Sequence, residues 1–319
     1  MERSKGVIYI ATGKKYIAEA CASAASLKAH MPAMPISVFA DEEIHSPHIE
    51  QTIRIDPINW ESWAKRIEYM SQAPYDDTLY LDSDTYICDG FDEIFELLKK
   101  FDLAAAHAPY RRSPKNYTTV DEFVVEHVPA SFPEMNCGVI LFKKTPRVEQ
   151  FFARWLREYH EQISQPVPPI NDQSSFRIAL YESDVIHAVL PPEYNCRFIF
   201  PVFVSGMVKI LHGWHQDFPA LAAQINASLM PRVLIVWDIF KQSGLEQLGE
   251  IADGMQAAQV LVSWDFEKSH SRVIDDLRHT LQQTQAALND AQRRLNAMQR
   301  SPIWKLRNLL VWFKHDAQS

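Results

Sequence analysis

Apolar residues through most of this chain come in short runs, separated by polar or amphipathic stretches, and that alternation indicates the class of fold. Residues 6–12 (GVIYIAT), 35–39 (PISVF), 52–55, 78–81 (TLYL), 103–106, 136–142 (NCGVILF), 185–190 and 208–212 (VKILH) are rich in β-branched, aromatic and small apolar side chains. Runs of that length and composition predict buried strands. Between them, residues 15–30, 60–71, 91–100, 147–163 and the segment ending at Leu180 read as helices. In residues 91–100 the stripe Phe91, Ile94, Phe95 and Leu98 lies on one helical face. The opening strand-helix-strand order implies parallel strands joined by a right-handed crossover. Residues 109–133 are polar, aromatic and punctuated by proline, the character of a long loop over a site, and 165–170 is a second proline-rich loop. Asp172 is placed to cap the helix that follows it. Residues 231–266 have no assignable pattern.

The pattern changes in the last fifty residues. Ile274, Leu277, Leu281, Thr284, Leu288, Ala291, Leu295 and Met298 alternate spacings of three and four, a heptad stripe with polar residues around it. Thr284 and Ala291 thin its core. The stripe suits either a homo-oligomeric coiled coil or one helix packed on the rest of the chain. Ser301-Pro302 restarts a helix, with serine as cap and proline in the first turn. Beyond it Trp304, Trp312 and Phe313 sit beside Lys305, Arg307 and Lys314. That mixture fits a helix lying on an anionic membrane surface through residues 301–315, or one covering a protein core. The expected organisation is a main α/β domain over 1–230, a connecting segment over 231–269, a coiled-coil helix over 270–300 and an amphipathic helix over 301–319.

A formal net charge of −8 argues against a general nucleic-acid binder. Cys21, Cys88, Cys137 and Cys196 lack metal-ligand spacing and read as reduced thiols. The start MERSKGVIYIATG lacks the apolar core of a secretory signal, and no apolar run is long enough to span a bilayer. The expectation is a cytoplasmic protein, with the tail as its peripheral contact to the inner face of the membrane.

Candidate chemistry begins at Asp82-Ser83-Asp84, where a buried apolar strand ends in two carboxylates. Open α/β sheets bind ligands at the carboxyl ends of their strands. Two acids there suit a hard divalent cation such as Mn²⁺ or Mg²⁺, which takes oxygen ligands together with substrate phosphates. A solvated acidic turn is the alternative. The first strand is followed by neither a GxGxxG nor a Walker glycine pattern, so a dinucleotide fold and a P-loop are unsupported.

With Tyr80-Leu81-Asp82-Ser83-Asp84 placed, further segments fall into a recognisable order. These are Ala11-Thr12 after the first strand, Asn136-Cys137-Gly138-Val139-Ile140-Leu141-Phe142, Asn171-Asp172-Gln173, and Leu190-Pro191-Pro192-Glu193-Tyr194-Asn195 followed by Lys209-Ile210-Leu211-His212. Over roughly residues 6–215 the chain resembles nucleotide-sugar glycosyltransferases of the A-type fold, glycosyltransferase family 8 in particular, which includes glycogenin and bacterial lipopolysaccharide galactosyltransferases. The resemblance implies a Rossmann-like mixed sheet flanked by helices. It assigns Asp82, Asp84 and His212 to Mn²⁺ (or Mg²⁺), and Ala11, Thr12, Tyr16, Asp41, Lys65 or Arg66, Ser83, Asn136 and Gly138 to the donor nucleotide and its sugar. It places Asp172 on sugar hydroxyls and Gln173 beside the anomeric carbon.

The resemblance further implies transfer of a hexose from a nucleoside-diphosphate sugar, UDP-linked as the first expectation, to a glycan, lipid-linked or protein acceptor with retention of configuration. Gln173 is an amide and so a poor nucleophile, which favours front-face attack over a covalent intermediate. Departures from the family pattern are the Cys137 thiol and the run Gly213-Trp214-His215 after His212, which removes a lysine near the diphosphate. His215 and Lys209 are candidates to replace it. His107, Tyr110, Arg111 and Arg112 open the long loop, as a donor or acceptor contact or as an exposed basic turn. The competing functions are a non-catalytic scaffold assembled through the helical tail and a sugar-nucleotide pyrophosphorylase, for which Thr12-Gly13-Lys14-Lys15 is a poor phosphate loop.

Overall fold

Seven strands form one mixed sheet in the computed structural model, which describes residues 3–58, 63–109, 127–165, 171–200 and 202–234 and the single positions Gln282, Asn289 and Arg293. The chain divides into Met1–Ser263 and Trp264–Ser319, and the first unit holds the sheet. In the second, the three described positions have helical backbone. The expected coiled coil over 270–300 and amphipathic helix over 301–319 otherwise lie outside the described residues, as do 59–62, residues 110–126 of the long loop, the loop at 166–170 and residues 235–269.

The first strands, β1 (Lys5–Ile10), β2 (Ile36–Ala40), β3 (Gln51–Arg54) and β4 (Asp77–Leu81), run parallel, with β1 paired to β2 and β4, and β2 to β3. Helix α1 (Lys14–His30) makes the expected crossover between β1 and β2. Next come α2 (Ala64–Ser71), β5 (Thr85–Ile87), β6 (Leu103–His107), β7 (Met135–Lys143), α3 (Pro146–Ile163), α4 (Gln173–Tyr181) and β8 (His187–Leu190). The sheet order is β3-β2-β1-β4-β7-β6-β8, with β7 antiparallel to both neighbours and β8 parallel to β6.

Alternation along β1 explains the two core layers. Val7, Tyr9 and Ala11 face one cluster with Ala20, Ala24, Leu27, Ile94 and Leu98. Ile8 and Ile10 face the other, with Ile67, Met70, Phe151, Trp155 and Phe176. Trp155 is fully buried, its ring 4.7 Å from that of Phe176. Burying the Phe176 side chain alone contributes roughly 1.5–3 kcal/mol.

Three features depart from the sequence reading. Residues 91–100 contain a 3₁₀ helix (Asp92–Lys99) rather than an α-helix; the predicted face is buried, but Ile94 N–H and Lys100 N–H bond only three residues back, to Phe91 O and Leu97 O. A small lobe of β9 (Val202–Val204), β10 (Ile210–His212), α5 (Phe218–Ile225) and β11 (Arg232–Leu234) follows the main sheet, and of it the sequence pattern predicts only β10. Asp172 occupies the N-cap position of α4 without capping it. Its carboxylate is drawn to Arg66, and Asn171 Oδ1 accepts from Gln173 N–H instead. No helix among the described residues is long and apolar enough to cross a membrane.

Candidate functional site

Asp82, Ser83 and Asp84 form the tight turn between β4 and β5, at the carboxyl edge of the parallel strands. Thr85 Oγ1 donates to Asp82 O at 2.8 Å and is bonded to Ser23 Oγ, which Tyr9 OH meets in turn at 2.9 Å. A buried hydroxyl chain thus supports the turn from beneath. Strand β5 leaves the main sheet and pairs antiparallel with β10, setting Thr85 opposite His212. Gly213 N–H donates to Asp84 O at 3.0 Å, and Asp82 N–H to Gly138 O at 2.8 Å.

These contacts bring two carboxylates and an imidazole together from positions 130 residues apart, as 212 less 82 gives. Their ligand atoms all lie within 4.8 Å of one another. His212 Nε2 is 3.5 Å from Asp82 Oδ2 and 3.3 Å from Asp84 Oδ1. A Cβ on Gly138 would lie 2.1 Å from His212 Cε1 and 2.5 Å from Asp82 Oδ2, so only glycine leaves room for the ring and the acid together. The pairing of β7 with β6 slips between Ala105 and His107, opposite Ile140 and Met135. The extra residues Asn136, Cys137 and Gly138 bulge there, which re-aims Asn136 and Gly138 at the site.

A chain of amides sets the state of the histidine. Gly138 N–H can only donate, and it donates to Asn136 Oδ1 at 3.1 Å. Asn195 must therefore present Nδ2 to the same oxygen, at 2.8 Å, and turn Oδ1 to His212 Nδ1, at 2.7 Å. Nδ1 keeps its proton for that bond whatever the ring's charge. Nε2, between the two carboxylates, is left either as a cationic N–H or as a free lone pair for a metal. An imidazole nitrogen and two carboxylate oxygens, with the second ring nitrogen held by a carbonyl oxygen, form a suitable donor set for a divalent transition ion. The residues present fit such an ion.

Arg66 of α2 is the other centre of charge. Its guanidinium is buried, donates to Asp82 Oδ1 at 2.9 Å and to Asp172 Oδ2 at 2.5 Å, and lies over the rings of Trp63 and Tyr80. Tyr80 OH also donates to Asp82 Oδ1, at 2.5 Å. Burial alone would raise the Asp82 carboxyl, but Arg66, His212 and Tyr80 outweigh it and hold the group well below the usual carboxylate range. At Asp84 burial is likewise outweighed, chiefly by His212, and the carboxyl is lowered. At Asp172 burial prevails over the pull of Arg66 and the carboxyl is raised. Arg66 itself is held protonated, its charged and phenolic neighbours overriding burial.

The remaining expected residues are distributed around this centre. Asn136 Nδ2 donates to Gln173 Oε1 at 3.2 Å, so Asn136, Gly138, Asp172 and Gln173 all join the network. Ser83 Oγ donates to Glu19 at 3.1 Å. Ala11 and Thr12 are buried at the end of β1, where Thr12 Oγ1 accepts from Ile58 N–H. Asp41 Oδ1 receives Gly13 N–H at 2.9 Å, a turn that needs the positive φ of Gly13. Tyr16 packs partly buried against the α1 core.

Of the neighbouring bases, Lys65 points outward to Glu68 at 2.8 Å, while Arg66 enters the site. The two candidates for a diphosphate-side cation are committed elsewhere. Lys209 pairs with Asp89 at 2.5 Å, and His215 stacks edge-on near Phe198 and accepts from Asp217 N–H. Asn195 and Tyr80 belong to motifs of the resemblance in which neither is given a role, and Arg197 carries no signal in the sequence. The four cysteines are unpaired.

No protein-family model matches the chain, and no curated protein matches it by sequence. Several solved structures are similar to it. The galactosyltransferase LgtC, in complex with donor and acceptor sugar analogues, is 16% identical over 70% of this chain and 94% of its own, with a TM-score of 0.45. The glycosyltransferase GlyE of Streptococcus pneumoniae is 16% identical over 83% of this chain and 66% of its own, again with a TM-score of 0.45. The bifunctional glycosyltransferase WbbM, without ligand, is 15% identical over 62% of this chain and 40% of its own, with a TM-score of 0.43. These neighbours are glycosyltransferases.

Proposed function

We propose that the chain is a retaining, manganese-dependent glycosyltransferase that moves a hexosyl group from a nucleoside-diphosphate sugar, UDP-linked in the first instance, to an acceptor hydroxyl. The observation that carries this reading is the convergence of Asp82, Asp84 and His212 around space that only Gly138 leaves open. The site lies at the carboxyl edge of an α/β sheet, where such sheets bind ligands. Asp82, Asp84 and His212 would hold Mn²⁺ or Mg²⁺, which supplies charge neutralisation to the departing diphosphate.

The chain's own residues take the other roles. The ends of β1 and β2, with Ala11, Thr12 and Asp41, receive the nucleoside, beside Tyr16 and Ser83. Asp172, fixed by Arg66, accepts hydrogen bonds from sugar hydroxyls. Gln173, oriented by Asn136, lies against the anomeric centre and stabilises its developing positive charge by its dipole. The C–O bond to phosphate breaks as the acceptor oxygen bonds the same face, and the acceptor proton passes to the departing phosphate oxygen. An amide at residue 173 supports this front-face course over a covalent glycosyl-enzyme.

The reading extends to a glycan, lipid-linked or protein acceptor, an oligomer through residues 270–300, peripheral membrane contact through 301–315 and a cytoplasmic location. The test is a donor screen by nucleotide release with Mn²⁺, with and without chelator. Release by the native chain and its loss both with chelator and in Asp84→Asn are expected; release indifferent to both would overturn the assignment. For the tail, Trp304→Ser with Trp312→Ser is expected to abolish vesicle flotation while sparing nucleotide release.

A further inference from the structure

We infer that Arg197 is the cation that binds the leaving diphosphate. The inference rests on the glycosyl-transfer reading and adds a residue to it. Charge makes the need plain. Arg66 is consumed by Asp172 and one oxygen of Asp82, and a divalent ion would offset Asp82 and Asp84. A multiply charged diphosphate arriving at that balanced centre requires a further positive group. Lys65, Lys209 and His215 are each engaged away from the carboxylates.

Arg197 is differently placed. Its backbone is fixed by the same ladder that fixes His212: Cys196 N–H donates to Ile210 O at 2.8 Å, and His212 N–H to Cys196 O at 2.9 Å. Its guanidinium reaches towards Asp84, with Nη1 4.0 Å from Oδ2. That is an electrostatic approach and longer than a hydrogen bond. Nε is buried and has no acceptor, although a buried donor left unsatisfied is costly. The side chain, 21% exposed, is therefore a partly desolvated fork beside a candidate metal ligand, with Nε lacking an acceptor and Nη1 beyond hydrogen-bond distance of Asp84. Arginine forks of this kind match phosphate oxygens two at a time. A diphosphate bound beside Asp84 would come within reach of Arg197, whose charge would then stabilise the negative charge that grows on it as the sugar–phosphate bond breaks.

The experiment uses the full chain with two probes, Mn²⁺ alone and Mn²⁺ with inorganic pyrophosphate, by titration calorimetry. Arg197→Gln should bind Mn²⁺ no more weakly than the native chain, yet bind pyrophosphate about 10–100-fold more weakly, the scale of lost charge-assisted bonds. Arg197→Lys, which keeps the charge and loses the fork, should fall between the two, and it carries the test if the glutamine variant misfolds. Equal pyrophosphate affinity in all three proteins, or a parallel loss of Mn²⁺ binding, would overturn the role of Arg197 alone. A native chain that binds neither pyrophosphate nor any nucleoside diphosphate with Mn²⁺ would overturn the proposed function as well.

Discussion

Gly138→Ala tests whether the glycine cradle makes the site. The added methyl would sit 2.1 Å from His212 Cε1, 2.5 Å from Asp82 Oδ2 and 2.8 Å from His212 Nε2. Carbon atoms in contact prefer about 3.5–4.0 Å, so the ring or the strand must yield by roughly 1.4 Å. The ring has little freedom: His212 is 1% exposed and its Nδ1 is tied to Asn195. Overpacking of this kind typically costs about 1–3 kcal/mol, which a chain with two core layers can absorb. Metal ligation tolerates far less, since ligand distances hold to about 0.2 Å. Mn²⁺ affinity should therefore fall at least tenfold, the scale seen when even an outer-shell partner of a metal ligand is lost. The assay is Mn²⁺ titration followed by electron paramagnetic resonance, with circular dichroism confirming the fold. Adding His212→Ala to Gly138→Ala should cost little more, because both remove the same ligand. Manganese affinity within twofold of the native chain in Gly138→Ala would refute the reasoning.

Other consequences come from named contacts. Asn195→Leu leaves His212 Nδ1 without its acceptor; long-range ¹H–¹⁵N spectra of the metal-free chain should show the Nδ1 proton losing its hydrogen-bonded shift, and an unchanged Nδ1 signal would dismiss the amide chain as its cause. Arg66→Met leaves Asp172 buried and unpaired, and should cost about 3–5 kcal/mol in urea unfolding; a loss below about 1 kcal/mol would mean that the buried Asp172 carboxyl does not depend on Arg66. Asp102 accepts from Lys143 Nζ at 3.0 Å, Arg147 Nη1 at 2.8 Å and Ile186 N–H at 2.9 Å, and these outweigh burial to lower its carboxyl. A folded-state value below the unfolded one gives stability that is present at neutral pH and lost as pH falls through the folded value. Urea midpoints should therefore drop less between pH 6 and about pH 3 in Asp102→Asn than in the native chain, from a start about 1–3 kcal/mol lower; parallel pH curves would count against it.

Strands with a strong apolar pattern were legible because burial on both faces leaves an unbroken hydrophobic run, as in β1, β2, β4 and β7. The lobe of β9, α5 and β11 was not, since three-residue strands offer too few positions for a period to emerge. Helix α5 did carry a start signal in Asp217-Phe218-Pro219, where Asp217 Oδ1 accepts from Ala220 N–H at 3.0 Å. At the site, Asp82 and Asp84 announced themselves by ending an apolar strand. The choice between Lys65 and Arg66 could not be made from adjacent positions, because helical phase decides which one turns inward. Asp172 read as a cap because local hydrogen bonding is the usual use of aspartate there; a guanidinium 106 residues away in sequence took it instead. The amide chain through Asn136 and Asn195 depends on a bulge and a strand pairing that spacing alone does not reveal.

The most direct test is a crystal of the full chain grown with Mn²⁺ and UDP, measured at the manganese absorption edge. The account predicts an anomalous peak bounded by Asp82, Asp84 and His212 Nε2, with the diphosphate on its open side. A peak elsewhere, or a diphosphate bound away from these residues, would contradict it.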